Sequence, residues 1–202
     1  MDIKKTANLL LNFAINRLAE IFGFIISSAG ALIFIALLSY SPEDPNFIFP
    51  DNTEIKNILG FRGSFVSDLF LQSFGLMSYL ISFTFIVTGI NIFRTKEFFL
   101  IVENIFFSIG YLIFGTLLLA FFYSNTFTLY INGNGGFVGS YLNTTFLKSI
   151  IEINQTIFYY ILIILTTLLF LISLNFHPIK FFKTVKNLIN LINKKNNKSY
   201  TD

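Results

Sequence analysis

The stretch IFGFIISSAGALIFIALLSYSPEDPNF, residues 21–47, decides the fold. From Ile21 to Tyr40 it carries no charge, and about 20 mostly apolar residues are what a helix needs to cross the hydrocarbon core of a bilayer. It then stops abruptly at Pro42, Glu43, Asp44 and Pro45. A proline cannot continue a helix, and the residue before it is pushed toward extended geometry. Tyr40 suits the membrane–water interface, and the two carboxylates belong in water. The stretch therefore reads as a transmembrane helix followed by its exit turn.

The rest of the chain extends that reading. Only 12% of its 202 residues are charged and 54% are hydrophobic, with a mean hydropathy of +0.69. A soluble domain is about 25% charged, so this chain lacks the polar groups to cover a soluble surface. Three more uncharged stretches have spanning length, Leu69–Phe93, Asn104–Tyr123 and Ile153–Leu174. They lack the alternation of barrel strands. The first span is too long for a signal-peptide core and has three spans behind it, which makes it a retained anchor. The expected fold class is all-α: a polytopic membrane protein with four transmembrane helices and two extracytoplasmic loops.

Orientation follows from the cations. Eleven Lys and Arg residues fall in the N-terminal segment, the middle loop and the C-terminal segment, against three (Lys56, Arg62 and Lys148) in the other two loops. The positive-inside rule then places both termini in the cytoplasm. The membrane domain is expected over residues 1–178. Residues 179–202 form a basic segment, with Ile179, Phe182, Val185, Ile189 and Ile192 at helical spacing. It reads either as a helix lying on the cytoplasmic leaflet or as a simple stop-transfer flank. The polar end KKNNKSYTD, residues 194–202, looks like the start of a linker. At the other terminus Asn8, Asn12 and Asn16 beside Leu9, Leu10 and Phe13 suggest a short juxtamembrane helix feeding the first span. Gly23, Ser27 and Ala31 form a stripe of small residues. Such a stripe lets another helix approach closely, within one bundle or, as the sharper alternative, between subunits.

Catalytic chemistry finds little footing. The chain has no Cys and one His, so thiolate and zinc sites lack ligands. No phosphate-binding loop of the G-x-x-x-x-G-K-[ST] type occurs. GNGGFVG, residues 133–139, has the wrong spacing for a dinucleotide loop and reads as a tight turn. The charges sit at span ends. Ser82, Thr84, Ser108 and Thr166 within the spans are the kind of group that packs helices together. No cofactor, metal or catalytic residue is expected.

The segment NILGFRGSFVSDLFLQSFG, residues 57–75, is richer. Gly60, Ser64, Asp68 and Gln72 repeat every fourth residue and would share one face of a helix entering the membrane. Asp68 would stand near the start of that helix, favoured by its dipole. A polar face of this kind should pack on the bundle or on a partner rather than on lipid.

Three stretches together, SYSPEDPNF at 39–47, the pattern of Asn57, Gly60, Gly63, Asp68, Gln72 and Gly75, and Gly135-Gly136-Phe-Val-Gly139, resemble the N-terminal four-helix membrane domain of the FtsK/SpoIIIE DNA translocases. The resemblance covers roughly residues 18–176, with Ser64 and Ser67 where that family commonly has alanine-sized residues. It implies a membrane anchor and assembly module that targets the division septum of the bacterial inner membrane. It also implies homo-oligomers, contacts with other divisome membrane proteins, and action in cell division and chromosome segregation. DNA would be reached only through a motor domain, absent from this chain or encoded separately, so the chain is read as a membrane-domain fragment or as one half of a split protein. The structural and interaction candidates it suggests are Ser41, Pro42, Asp44, Pro45, Asn57, Gly60, Gly63, Asp68, Gln72, Gly75, Gly135, Gly136 and Gly139. The competing reading is a small-solute transporter or channel subunit. That would want an ionisable group inside the membrane, and the spans hold none. A membrane enzyme ranks third, for want of an acid, base or metal cluster.

Overall fold

A computed structural model of the chain describes residues 3–45, 54–124 and 132–176, and position 186. Among the described residues the fold is all-α, without a strand. Four helical stretches are long and apolar enough to cross a membrane: Ala7–Leu38, Gly60–Thr95, Leu100–Phe122 and Gln155–Ser173. The basic amphipathic segment expected after residue 179 lies outside the described residues, apart from position 186.

Helix α1 runs unbroken from Ile3 to Leu38. At 1.5 Å per residue it is roughly 54 Å long, well beyond the about 30 Å of a hydrocarbon core. The expected juxtamembrane helix is thus the first half of the same rod, because no proline interrupts it. Residues 7–18 of this arm are exposed throughout. The helix stops ahead of Pro42, with the Ser39 hydroxyl donating back to the Ile35 carbonyl at 2.9 Å.

The second expected span is broken. Helix α2 covers Gly60–Phe74, a 3-10 turn covers Gly75–Met77, and α3 covers Ser78–Thr95. Gly75 takes φ +56°, a left-handed backbone that no α-helix can pass through and that glycine supplies without strain. The Ser78 hydroxyl donates to the Phe70 carbonyl at 2.7 Å and bridges the break. A stretch read as one span, Leu69–Phe93, is therefore divided between two helices.

Helix α4, Leu100–Phe122, follows a short connection. The next loop holds two short helices not anticipated from the sequence, α5 over Gly136–Asn143 and α6 over Phe146–Ile153. The glycine-rich stretch is a turn only at its start, where the Gly136 amide donates to the Gly133 carbonyl at 3.0 Å. From Gly136 onward it is helical. Helix α7, Gln155–Ser173, starts two residues after α6 ends. Asn154 separates them, its side chain accepting from the Ile157 amide at 3.1 Å as an N-cap does.

The helices pack as two antiparallel pairs. In the first, Gly23 of α1 meets Gly89 and Phe93 of α3, and Gly30 meets Ser82, Phe85 and Ile86. Phe34 packs edge-on against Tyr79, whose hydroxyl donates to the Leu37 carbonyl at 3.0 Å. The contacts on α1 follow Gly23, Ser27, Gly30, Phe34 and Leu37 at alternating spacings of four and three, the seam of two supercoiled helices. The small-residue stripe packs inside the bundle, continuing through Gly30 rather than Ala31. In the second pair Tyr111 of α4 meets Phe170 of α7 and Phe122 meets Tyr159, both edge-on. Leu117, Leu162 and Ile151 of α6 form its apolar core.

A polar seam joins the pairs. Thr84 of α3 lies 3.1 Å from the Tyr111 hydroxyl and 3.5 Å from the Ser173 hydroxyl. The Asn104 amide donates to the Thr88 hydroxyl at 2.8 Å and its oxygen accepts from Asn175 at 3.2 Å. Ser108 donates to the Asn104 carbonyl at 2.7 Å. At the same end as Asn175, Lys96 reaches Glu20 at 2.6 Å. The bundle thus has one end marked by the Glu20–Lys96 pair and the close of α7, and a loop end.

Candidate functional site

The loop end brings together most of the candidate residues, and each is placed by ordinary backbone chemistry. After α1 the chain turns at Ser41, whose carbonyl accepts from the Asp44 amide at 3.2 Å and whose hydroxyl accepts from the Glu43 amide at 3.4 Å. That turn buries Asp44, which is 1% exposed. Its two carboxylate oxygens accept the backbone amides of Lys56 and Asn57, each at 2.8 Å. A carboxylate holding backbone N–H groups makes stronger hydrogen bonds than a neutral acceptor. Across this clasp Glu43 and Lys56 form a surface ion pair. The Lys56 ammonium holds the Glu43 carboxyl below its usual range, and Glu43 raises Lys56 in return.

Asn57 is the hinge of the cap. Its side-chain amide donates to the carbonyls of Ala36 at 2.9 Å and Ser39 at 3.3 Å, and its oxygen accepts from the Leu59 amide at 3.0 Å. One side chain thereby satisfies carbonyls left free where α1 ends and also starts the turn into α2. Gly63 packs against it so closely that a Cβ there would sit 2.1 Å from the Asn57 oxygen. Gly60 opens α2 with φ +65° and open space beside it. Ser64 donates to the Pro45 carbonyl at 2.8 Å, and Pro42 is exposed while Pro45 is buried.

Asp68 lies eight residues into α2, past the first turn where a helix dipole acts. The expected dipole effect therefore does not apply. Its place is set instead by the hydroxyl of Tyr40, which donates to it at 3.2 Å, and by the Gln72 amide at 3.5 Å. Gln72 continues the chain of contacts, since the Asn132 amide donates to its backbone and side-chain oxygens at 3.2 Å. The glycines close the second loop onto the first. A Cβ on Gly75 would lie 1.9 Å from the Asn134 carbonyl, and one on Gly136 would lie 2.5 Å from the Gly75 amide. Gly135 and Gly139 both face the Thr116 carbonyl of α4, where a Cβ would come to 2.4 Å.

Sequence reasoning missed Ser39, Asn132 and Asn134. Ser39 accepts from the Ile58 amide at 3.2 Å. Asn134 donates to the Tyr123 carbonyl, and its own carbonyl accepts from the Leu76 amide at 3.0 Å. The signal was present in Asn132-Gly-Asn134-Gly, since asparagines between glycines in a loop tie backbone together. Among the described residues no group of three or more His, Cys, Asp or Glu could hold a metal ion. What the site offers chemically is shape and hydrogen bonding: a rigid polar cap over apolar helices.

Four apolar helices in two antiparallel pairs, capped at one end, define a multi-pass membrane domain. The chain belongs to the family described as the 4TM region of DNA translocase FtsK/SpoIIIE, which matches residues 16–186. It is similar to the DNA translocase FtsK of Rhizobium meliloti (strain 1021), 33% identical over 78 residues, 39% of this chain and 9% of that protein. The DNA translocase FtsK of Rickettsia typhi (strain ATCC VR-144 / Wilmington) is 35% identical over 68 residues, 34% of this chain and 9% of that protein. That of Caulobacter vibrioides (strain ATCC 19089 / CIP 103742 / CB 15) is 32% identical over 69 residues, 34% of this chain and 8% of that protein. Each of these three matches spans under a tenth of the relative's length and lies in its N-terminal part. No solved structure matches the chain.

Proposed function

We propose that this chain is the membrane anchor and assembly module of an FtsK-like DNA translocase, acting at the division septum of a bacterial inner membrane in cell division and chromosome segregation. The observation that carries the reading is the family match over residues 16–186. Both termini face the cytoplasm, as the eleven-to-three distribution of cations favours. The loop end then faces outward, where its rigid cap can meet other divisome membrane proteins. Copies of the chain associate with one another in the bilayer. DNA is reached only through a motor domain, carried on the same protein or encoded separately, and not through any of these residues.

The polar seam supports this reading over a transporter. Thr84, Thr88, Asn104, Ser108 and Tyr111 hydrogen-bond to one another or to nearby carbonyls, as helix-packing groups do. A fluorescent protein fused after Asp202 and imaged through division tests the proposal. A mid-cell band is expected. Uniform membrane fluorescence would remove septal action and leave only the anchor.

A further inference from the structure

Beside α2 at the loop end lies an open cavity of about 330 Å³, lined by Phe65, Asp68, Leu69, Gln72, Asn132 and Phe137 among others. Asp68 is only 5% exposed. Its hydrogen-bond donors, the Tyr40 hydroxyl and the Gln72 amide, are both neutral. Among the described residues it takes part in no ion pair. Burying a carboxylate without a countercharge is costly unless a partner supplies one. The lining suits a guanidinium: a carboxylate to accept its N–H groups, amide oxygens beside it, and two aromatic rings to stack against.

The chain carries such a group nearby. Of the described cations at the loop end, Lys56 pairs with Glu43 and Lys148 lies 3.9 Å from Glu152. Arg62 is exposed and makes no ion pair with any described residue. It cannot fill the cavity of its own chain. It sits six residues before Asp68 on the same helix, roughly 9 Å along the axis and about 120° around it, and only residues three or four apart meet on a helix surface.

We propose that the Asp68 cavity receives the Arg62 guanidinium of a second copy of this chain. Charge complementarity selects that occupant, and the surroundings agree. Ile58 and Phe61 stand exposed near Arg62, as Leu69 and Phe137 do at the cavity mouth, so one contact covers both apolar rims. The inference rests on the self-association put forward above and names the surface it uses.

The chain has no cysteine, which makes disulfide trapping clean. Two differently tagged variants, Phe61→Cys and Leu69→Cys, are mixed in lipid vesicles and oxidised. Native mass spectrometry counts copies in parallel. A disulfide requires Cα atoms within about 7 Å, so a mixed cross-link reports this contact. The mixed product is expected to form, and to drop several-fold when Arg62→Glu is added to the Phe61→Cys chain. Arg62 is exposed and pairs with no described residue of its own chain, so that change is expected to leave the fold intact, which the unfolding temperature checks. Oligomers without the mixed cross-link, or a cross-link indifferent to Arg62→Glu, overturn the contact while self-association stands. Monomers alone overturn both.

Discussion

The two helix pairs solve the same problem by opposite means. Helices α1 and α3 meet backbone to backbone. A Cβ on Gly89 would lie 2.4 Å from both the Gly23 carbonyl and the Ser27 amide, and one on Gly23 would lie 2.6 Å from the Gly89 carbonyl. Helices α4 and α7 meet through side chains, with Tyr111 edge-on to Phe170 at 5.5 Å and Phe122 edge-on to Tyr159 at 5.1 Å. In a bilayer, lipid tails are as apolar as leucine, so burial alone does little to hold helices together. Close backbone approach gains dispersion contacts that lipid cannot match, but it tolerates no added atom. Side-chain packing is more forgiving, because a neighbouring rotamer can give way.

The sharpest way to break the first pair is Gly89→Leu. The new side chain has only backbone and Ser27 to displace, and α1 must move away. Overpacking typically costs 1–3 kcal/mol and occasionally more. Here the upper end, about 3 kcal/mol, is expected, read as lost stability in detergent unfolding. Gly110→Ala, in the second pair, meets only the Leu169 side chain, at 3.1 Å, and should lie within about 1 kcal/mol of the parent. Equal losses at the two positions would remove the distinction.

The Asp44–Asn57 clasp of the cap belongs to the first pair, since the Asn57 side chain bonds carbonyls at the end of α1. Asp44→Ala should loosen it. The change strands two backbone amides, one of them fully buried, and should cost about 2–3 kcal/mol. Amide exchange at Lys56 and Asn57 is expected to quicken while that of α4 stays unchanged. Exchange rising equally in both pairs would mean the cap holds the whole bundle.

This contrast also explains what could be read from the sequence. Uncharged length marked the spans, because the bilayer imposes it. The stripe through Gly23 and Ser27 was legible because small residues at helical spacing have one use in a membrane. The break at Gly75 was not legible. A glycine inside an apolar run is common in membrane helices, and only the left-handed backbone forced by Asn134 and Gly136 distinguishes it. Helices α5 and α6 were hidden because each is only eight residues long, too short to stand out from the surrounding loop even though α6 sets Leu147, Ile150 and Ile151 inward and Lys148 and Glu152 outward. At the cap, Asp44 and Asn57 stood out as candidates, but their partners are backbone amides and carbonyls of segments 12 to 21 residues away. No side-chain pattern records such partners.

A smaller effect probes the second pair through its polar seam. Tyr111→Phe keeps the ring against Phe170 and removes the bond to Thr84. Interhelical hydrogen bonds in membrane bundles average about 0.6 kcal/mol, and a loss of that size in unfolding free energy is expected. A loss comparable to that of Gly89→Leu would make the seam, not the ring packing, the main tie of α4.

The smallest effect lies on the cap's surface, in the Glu43–Lys56 pair. Both groups are solvent-exposed, so the pair is screened by water and salt and its contribution is slight. Its sign is still fixed. Lys56 lowers the carboxyl of Glu43 in the folded state, so that part of the stability is present above the unfolded carboxyl's pKa and fades as pH falls through the folded one. Glu43 raises Lys56, so that part is complete below the unfolded ammonium's pKa and is lost as pH rises through the folded one. Between the two ranges, across neutral pH, the pair adds nothing that varies. Lys56→Gln should therefore return the Glu43 carboxyl toward its ordinary value in an NMR titration while the two Asp44 bonds, made to backbone amides, survive. If the substitution also quickened exchange at the Asn57 amide, the surface pair would be supporting the buried clasp, and the cap would depend on pH where its geometry says it should not.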